Sequence, residues 1–112
     1  MQENVKISKI ASEFSLYLLD SGIDFLNIQI KREESSVEIL FECNKIEKSR
    51  LKKLTSQLKK KRNRSFEVYG WELIGQADND DELGLIGNLI DEYNYQELDG
   101  KVIFKLVRYE EI

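Results

Sequence analysis

Acidic side chains precede two closely spaced glycines in the stretch "DDELGLIGNLIDEYNYQELDGKVIFKL", residues 80–106. Carboxylates at such spacing could hold a hard cation such as Ca²⁺. A calcium-binding loop that began at Asp78 would need glycine at its sixth position, and the sequence has Leu83 there. No glutamate closes the loop at its twelfth position either. The acidic run is therefore interpreted as a helix start, where carboxylates cap backbone N–H groups and match the helix dipole, and no metal site is predicted.

The composition excludes several kinds of catalytic chemistry. The 112 residues include no histidine, which removes histidine general bases, histidine zinc ligands and Ser-His nucleophiles. Cys43 is the single cysteine, so a disulfide within the chain is impossible, and this fits a reducing compartment. No apolar stretch approaches the length of a membrane span, and the first residues lack the features of a signal peptide. We expect a cytoplasmic protein with one domain over residues 1–112, no cofactor and no membrane contact.

Positive charge is concentrated in residues 45–64. This segment holds ten basic residues and one acidic residue, a charge of +9, so the remaining 92 residues carry −13 of the formal net charge of −4. Leu51, Leu54 and Leu58 lie at helical spacing and predict a basic amphipathic helix over residues 46–62. The side chains of this segment that could contact a partner are Lys52, Lys53, Lys59, Lys60, Lys61 and Arg62.

Three interpretations of the basic segment remain open. It could bind the phosphates of a nucleic acid. The acidic remainder of the chain would repel those phosphates, so this interpretation is the least favoured of the three. It could dock an acidic protein partner, or the acidic half of a second copy in a self-association. The simplest interpretation is a solvated helix whose charge balances the acidic remainder within one molecule.

The first half of the chain predicts a helix followed by a β-hairpin. Residues 5–20 are expected to form an amphipathic helix, capped by Asn4 and ended by Ser21-Gly22. Its apolar face comprises Ile7, Ile10, Ala11, Phe14 and Leu18, widened by Leu16, Tyr17 and Leu19. Two alternating stretches follow, separated by the polar turn "REESS", and predict antiparallel strands with one buried face each. These faces are Leu26, Ile28 and Ile30 in the first strand and Val37, Ile39 and Phe41 in the second.

The second half predicts a further helix and hairpin. The stretch "FEVYGWELIGQA", residues 66–77, is expected to be a strand or irregular, although Phe66, Tyr69 and Leu73 also suit a helix. Residues 81–93 are expected to form a helix with Asp80 or Asp81 as its cap and with Ile86, Leu89, Ile90 and Tyr93 on one face. Asp99-Gly100, between two alternating runs, is a strong hairpin signal. The expected fold class is α+β, a two-layer sandwich with an antiparallel or mixed sheet and helices on one face.

This order of elements resembles the histidine-kinase-type ATPase (GHKL) fold, whose members include the small anti-sigma-factor kinases. The resemblance is visible over residues 81–108 and extends by pattern alone to residues 5–43. Gly84-Leu85 corresponds to the last Gly-Leu of the family's G-x-G-L-G-L phosphate turn, and Glu82 replaces the preceding glycine. The resemblance implies a site in which an acidic residue and a Mg²⁺-binding asparagine lie on the first helix, with an adenine-binding aspartate after the second strand.

The chain departs from this family at each element of the nucleotide site. Glu13 stands at the acidic position, but Tyr17 occupies the place of the asparagine, and tyrosine is a poor ligand for Mg²⁺. The segment after the second strand has no aspartate, and no glycine lies between Gly22 and Gly70. The carboxylates before Gly84 would repel phosphate. Glu13, Tyr17 and Gly84 are thus interpreted as remnants of a nucleotide site.

The sequence therefore predicts a non-catalytic, regulatory protein–protein interaction domain with a degenerate histidine-kinase-type ATPase fold. Two other functions stay open. The chain could be an active ATP-binding serine kinase or switch protein of the anti-sigma type. It could also be a nucleic-acid-binding module that uses the basic segment 45–64.

Overall fold

The computed structural model describes residues 2–59, 61–71 and 79–110, with the backbone alone for residues 68, 69 and 79–82. Within these residues, four helices and four strands follow one another. They are α1 (Glu3–Asp20), β1 (Leu26–Arg32), β2 (Ser36–Asn44), α2 (Lys48–Leu58), α3 (Arg64–Gly70), α4 (Asn79–Gly87), β3 (Glu92–Leu98) and β4 (Lys101–Tyr109).

The four strands form an antiparallel sheet in the order β1-β2-β4-β3. The second strands of the two hairpins therefore lie side by side at the centre, and β1 and β3 are the edges. Alternate residues of β2 and β4 are buried against the helices, whereas their neighbours on the opposite face are partly exposed. The predicted α+β class is confirmed, and among the described residues the sheet is antiparallel.

Helix α1 packs over the centre of the sheet through its apolar stripe. The Phe14 ring lies 4.5 Å from that of Phe41 and 5.5 Å from that of Phe104, measured between centroids. The five predicted stripe residues and Tyr17 are buried, which confirms that part of the prediction. Leu16 and Leu19 are instead about half exposed, because their helical positions fall on the side of α1 that faces away from the core.

The predicted end of α1 is confirmed and its predicted start is wrong. Gly22 has φ +84°, the left-handed conformation that terminates a helix at low cost for glycine. At the other end, the N-cap position is Gln2, whose side chain makes no capping hydrogen bond. Asn4 lies inside the first turn and accepts a hydrogen bond from Arg32 through its side-chain oxygen.

The predicted buried face of β1 is confirmed for Leu26, which packs against the core, and is wrong for Ile28 and Ile30. Ile28 and Ile30 pair with Phe41 and Ile39 of β2 and lie on the helix side of the sheet. They are nevertheless 45% and 51% exposed. The helices cover the two central strands, and the edge strand extends beyond that cover.

The segment between the hairpins differs most from the sequence prediction. Helix α3 occupies residues 64–70, although the sequence predicts a strand or irregular structure from residue 66 onwards. Residues 72–77 of that prediction lie outside the described part. Helix α4 begins at Asn79, so the predicted caps Asp80 and Asp81 fall inside its first turn. It ends at Gly87 rather than at residue 93, because Leu89 N–H bonds the Ile86 carbonyl in a tight final turn and β3 begins soon after. Within the described ranges, no helix has the length and apolar character needed to cross a membrane.

Candidate functional site

Helix α2 presents a face with positive charge alone. Leu51, Leu54 and Leu58 are buried in the core, so the narrow apolar stripe fixes which side of the helix faces solvent. The sequence of α2, "KSRLKKLTSQL", contains no acidic residue. The solvent side of α2 and the residues just after it form a surface that we call the basic face, made of the exposed lysines Lys48, Lys52, Lys53, Lys59 and Lys61.

Ion pairs within the described residues leave out four of the five lysines of the basic face. Among the described residues, no carboxylate lies within salt-bridge distance of Lys48, Lys52, Lys59 or Lys61. Four of the predicted partner-contacting residues, Lys52, Lys53, Lys59 and Lys61, are exposed on α2 or just after it. Lys60 lies outside the described residues.

Arg62 does not belong to the basic face, which corrects the sequence prediction for this residue. Its side chain is 3% exposed. Its Nε donates to Glu67 at 2.6 Å, and its Nη1 donates to Asp91 and to the Tyr109 carbonyl, each at 2.8 Å. The guanidinium is therefore used inside the molecule, because its planar set of donors can satisfy several acceptors at once.

A cleft of about 320 Å³ adjoins the end of the basic face, where α2 meets the start of β3. Leu58, Ile90 and Tyr93 contribute apolar walls, while Lys59 and Lys61 line the same cleft. Two carboxylates, those of Asp91 and Glu92, complete the lining. The cleft combines apolar surface with both signs of charge, as protein-binding sites often do.

Arg108 is at the centre of a buried ionic network that the sequence did not predict. Its side chain is 1% exposed, and it binds Glu3 with two hydrogen bonds of 3.1 and 3.0 Å. It also donates to Glu67 at 3.1 Å and to the Leu89 carbonyl at 2.6 Å. Glu67 contacts both Arg108 and Arg62, so the network joins α1, α3, β4 and the turn after α4.

Hydrogen bonds to arginine hold both glutamates of the network in the ionised form. The hydrogen bond from Arg108 lowers the pKa of Glu3 against the opposing effect of partial burial. For Glu67, burial acts to raise the pKa, and hydrogen bonds from Arg62 and Arg108 outweigh it, so the net shift is downward. A general base must titrate near the working pH, so these carboxylates suit structural anchoring rather than proton transfer.

Trp71 packs against this network. Its side chain is 4% exposed, with the Arg108 guanidinium 5.2 Å and the Lys6 ammonium 5.6 Å from the centre of its ring system. Both distances suit a cation–π contact. Trp71 is therefore part of the core rather than an exposed binding platform. Among the described residues, its buried indole N–H has no hydrogen-bond partner.

The three remnants of a nucleotide site occupy unlike environments. Glu13 is partly exposed on α1, whereas Tyr17 is buried, with the Arg50 guanidinium 5.9 Å from the centre of its ring. Gly84 is buried in the middle of α4 and has helical backbone, so it does not form the expected turn before a helix. Helices α1 and α4 pack against each other, which places these residues on neighbouring elements.

The cysteine and the acidic residues give no indication of metal binding in the part of the chain that the structure describes. No group of three or more Cys, Asp and Glu side chains is arranged to hold a metal ion there. Cys43 is fully buried, and burial, assisted by the neighbouring Glu42, raises the pKa of its thiol to about 11. The thiol is therefore a small apolar side chain of the core at neutral pH.

Comparison with known proteins does not extend this description. No protein-family model, curated protein or solved structure matches the chain significantly.

Proposed function

We propose that this chain is a non-catalytic, regulatory protein–protein interaction domain that binds an acidic protein surface through the basic face of α2. One observation carries the proposal: α2 buries its leucines and exposes lysines without a single acidic residue among them. A solvated helix usually mixes both signs of charge. Complementary charge accelerates the encounter of two proteins and selects against partners of the wrong sign.

An acidic protein is favoured over a nucleic acid by the rest of the molecule. Residues outside 45–64 carry a charge of −13, which repels an extended polyanion more strongly than a compact acidic patch. In the cleft, the half-buried Tyr93 supplies an apolar contact next to the lysines. An apolar centre with a charged rim is the usual composition of a protein–protein interface.

The kinship with the histidine-kinase-type ATPases is part of this proposal. The order of elements supports it, since a helix and a hairpin are followed by helices and a second hairpin. The burial of Tyr17 at the position of the metal-binding asparagine and the helical backbone of Gly84 support the loss of nucleotide binding. Under this proposal the fold acts as a scaffold for protein contacts.

The basic face can be tested with a defined acidic probe. Fluorescence anisotropy would measure binding of a short labelled polyglutamate peptide, which presents a compact acidic patch, and of a long single-stranded DNA, which is an extended polyanion. We expect the peptide to bind more tightly, with an affinity that falls as salt is added. The double variant Lys52→Gln/Lys59→Gln should weaken peptide binding several-fold.

The matched control removes the same charge from another surface. Lys101 and Lys105 are exposed on β4, and Lys101→Gln/Lys105→Gln should leave peptide binding near the wild-type value. Equal losses in both double variants would refute a specific basic face, and tighter binding of DNA would favour a nucleic-acid-binding function. A saturable rise in melting temperature on titration with Mg-ATP would instead favour the ATP-binding alternative.

A further inference from the structure

The two carboxylates that line the cleft between α2 and β3 are both engaged within the chain. Asp91 Oδ2 accepts hydrogen bonds from Arg62 Nη1 at 2.8 Å and from the Tyr109 backbone N–H at 2.6 Å. Glu92 pairs with Val107, which places it on the face of the sheet away from the helices, and it accepts a hydrogen bond from the Tyr109 hydroxyl. The charge of Asp91 is thus matched by Arg62, and Glu92 is directed away from the helix side of the sheet.

The two lysines of the cleft have no such partners. Lys59 and Lys61 are exposed, and in the part of the chain that the structure describes no carboxylate lies within salt-bridge distance of either ammonium group. The cleft therefore presents net positive charge to a ligand, although lysines and carboxylates line it in equal number. An anionic group is the complement of such a site.

Tyr93 is the apolar surface that a ligand in the cleft would contact. Leu58 and Ile90 are only 2% and 3% exposed, so they form a closed floor, whereas Tyr93 is partly exposed. The volume of about 320 Å³ lies near the lower end of the roughly 300–1,000 Å³ that is typical of ligand sites. The cleft therefore suits one large side chain better than an extended cofactor.

We propose that this cleft binds an aromatic side chain of an acidic peptide segment, whose neighbouring carboxylates pair with Lys59 and Lys61. This inference rests on the proposed function and specifies the chemistry of the acidic partner. Lys59 belongs both to the cleft and to the basic face, so one segment can occupy the cleft and continue along α2. This continuity favours a peptide over a free aromatic acid.

An aromatic side chain fits the cleft better than an aliphatic one for two reasons. Its ring can pack against the ring of Tyr93, and aromatic pairs are stabilised beyond the effect of the buried area alone. The faces of the same ring attract ammonium groups, of which the cleft supplies two, Lys59 and Lys61. An aliphatic side chain gains neither contact.

Three short labelled peptides of glutamate test this preference, with phenylalanine, leucine or serine as the central residue. Fluorescence anisotropy would measure their binding to the full chain. We expect the phenylalanine peptide to bind about tenfold more tightly than the serine peptide, with the leucine peptide between them. A phenylalanine peptide no tighter than the serine peptide or the leucine peptide would overturn the inference.

A pair of variants on β3 locates the aromatic contact. Tyr93→Leu should remove most of the advantage of phenylalanine over leucine, because the ring that packs against the ligand is lost. Tyr95→Leu is the matched control. Tyr95 is the next residue on the helix side of β3, is 42% exposed and does not line the cleft, so the advantage should persist. Equal effects of the two variants would contradict the proposed contact.

NMR of the wild-type protein gives a measurement that does not depend on the stability of a variant. The backbone amide signals of residues 90–93 should shift more with the phenylalanine peptide than with the serine peptide. Equal shifts with the two peptides would overturn the inference.

The serine peptide separates the failure of this inference from the failure of the proposed function. If the serine peptide binds through Lys52 and Lys59 and phenylalanine adds nothing, the basic face stands and the cleft proposal is wrong. If none of the three peptides binds, the basic face is wrong as well.

Discussion

Arg108 illustrates how one buried cation can connect distant parts of a small domain. Its partner Glu3 is 105 positions away in the chain, and its other partners are Glu67 and the Leu89 carbonyl. A buried guanidinium must satisfy most of its donors, since an unpaired buried charge is very costly. The network therefore holds the first turn of α1, helix α3 and strand β4 in one arrangement.

Arg108→Met should destabilise the protein strongly. The methionine fills much of the space but leaves Glu3 and Glu67 without this counter-ion, and loss of one partner of a buried pair costs roughly 3–5 kcal/mol. Urea unfolding would measure the loss. Lys105→Met serves as the control, since its ion pair with Glu38 is solvent-exposed and should matter far less. Equal stability of Arg108→Met and the wild type would contradict the anchoring role.

The lowered pKa values of the network glutamates predict a loss of stability in acid. A carboxyl whose pKa is lower in the folded state stabilises the fold fully above its unfolded value, here 4.5, and this stabilisation disappears as the pH falls through the folded value. Glu67→Gln should therefore be most destabilising near neutral pH and approach wild-type stability below pH 4.5. Urea unfolding at several pH values measures this, and a difference independent of pH would refute it.

The burial of Arg108 could have been predicted from the sequence of β4. Strand β4 buries Val102, Phe104 and Leu106 at alternate positions, and Arg108 is next in that register. A charged residue on a buried face implies a buried counter-ion. Its partner Glu3 could not be identified in this way, because nothing in the local pattern of α1 distinguishes it from a surface carboxylate.

The β3–β4 connection is the element whose geometry is most directly determined by its residues. Asp99 and Gly100 have φ of +52° and +76°, the pair of positive values expected for a two-residue type I′ turn. The predicted Asp-Gly hairpin is confirmed. Aspartate tolerates this conformation better than most residues, and glycine adopts it without steric cost.

Gly100→Ala should therefore destabilise the hairpin through backbone strain alone. A Cβ at this position would contact nothing within 4 Å, so no clash contributes. The expected loss is about 1–2 kcal/mol of unfolding free energy. Gly100→Asn is the matched comparison, since asparagine enters the left-handed region readily and should lose less. Thermal unfolding of both variants decides the matter, and equal losses would argue against strain as the cause.

Elements with strong local periodicity were predictable, and those determined by tertiary contacts were not. The stripe of α1 and both hairpins follow from alternation and turn residues. Helix α3 has only seven residues, too few for periodicity to distinguish from a strand. The apolar pattern of α4 continues through Leu89 and Ile90, but the helix ends at Gly87 and the Asp91 backbone N–H bonds the Val107 carbonyl of β4.

At the scale of the whole molecule, the separation of basic and acidic residues could be predicted from the sequence, whereas the order of the strands could not. The basic face of α2 follows from the clustering of lysines in residues 45–64. The sequence of each hairpin, however, does not indicate which of its two strands pairs with the other hairpin. The central β2–β4 pair and the exposed edge of β1 are therefore seen only in the structure. Ile28 and Ile30 look like core residues in the sequence, and their exposure follows from the position of β1 at the edge.

The same strand order also implies an order in which the strand pairs form during folding. Each hairpin brings together residues that are close in the chain, so both can form within microseconds. The β2–β4 pair joins Val37 to Arg108 and must close a long loop, which costs entropy before its contacts form. We therefore expect the rate-limiting step to be the docking of two preformed hairpins, each of which keeps its apolar side chains in water until the other arrives.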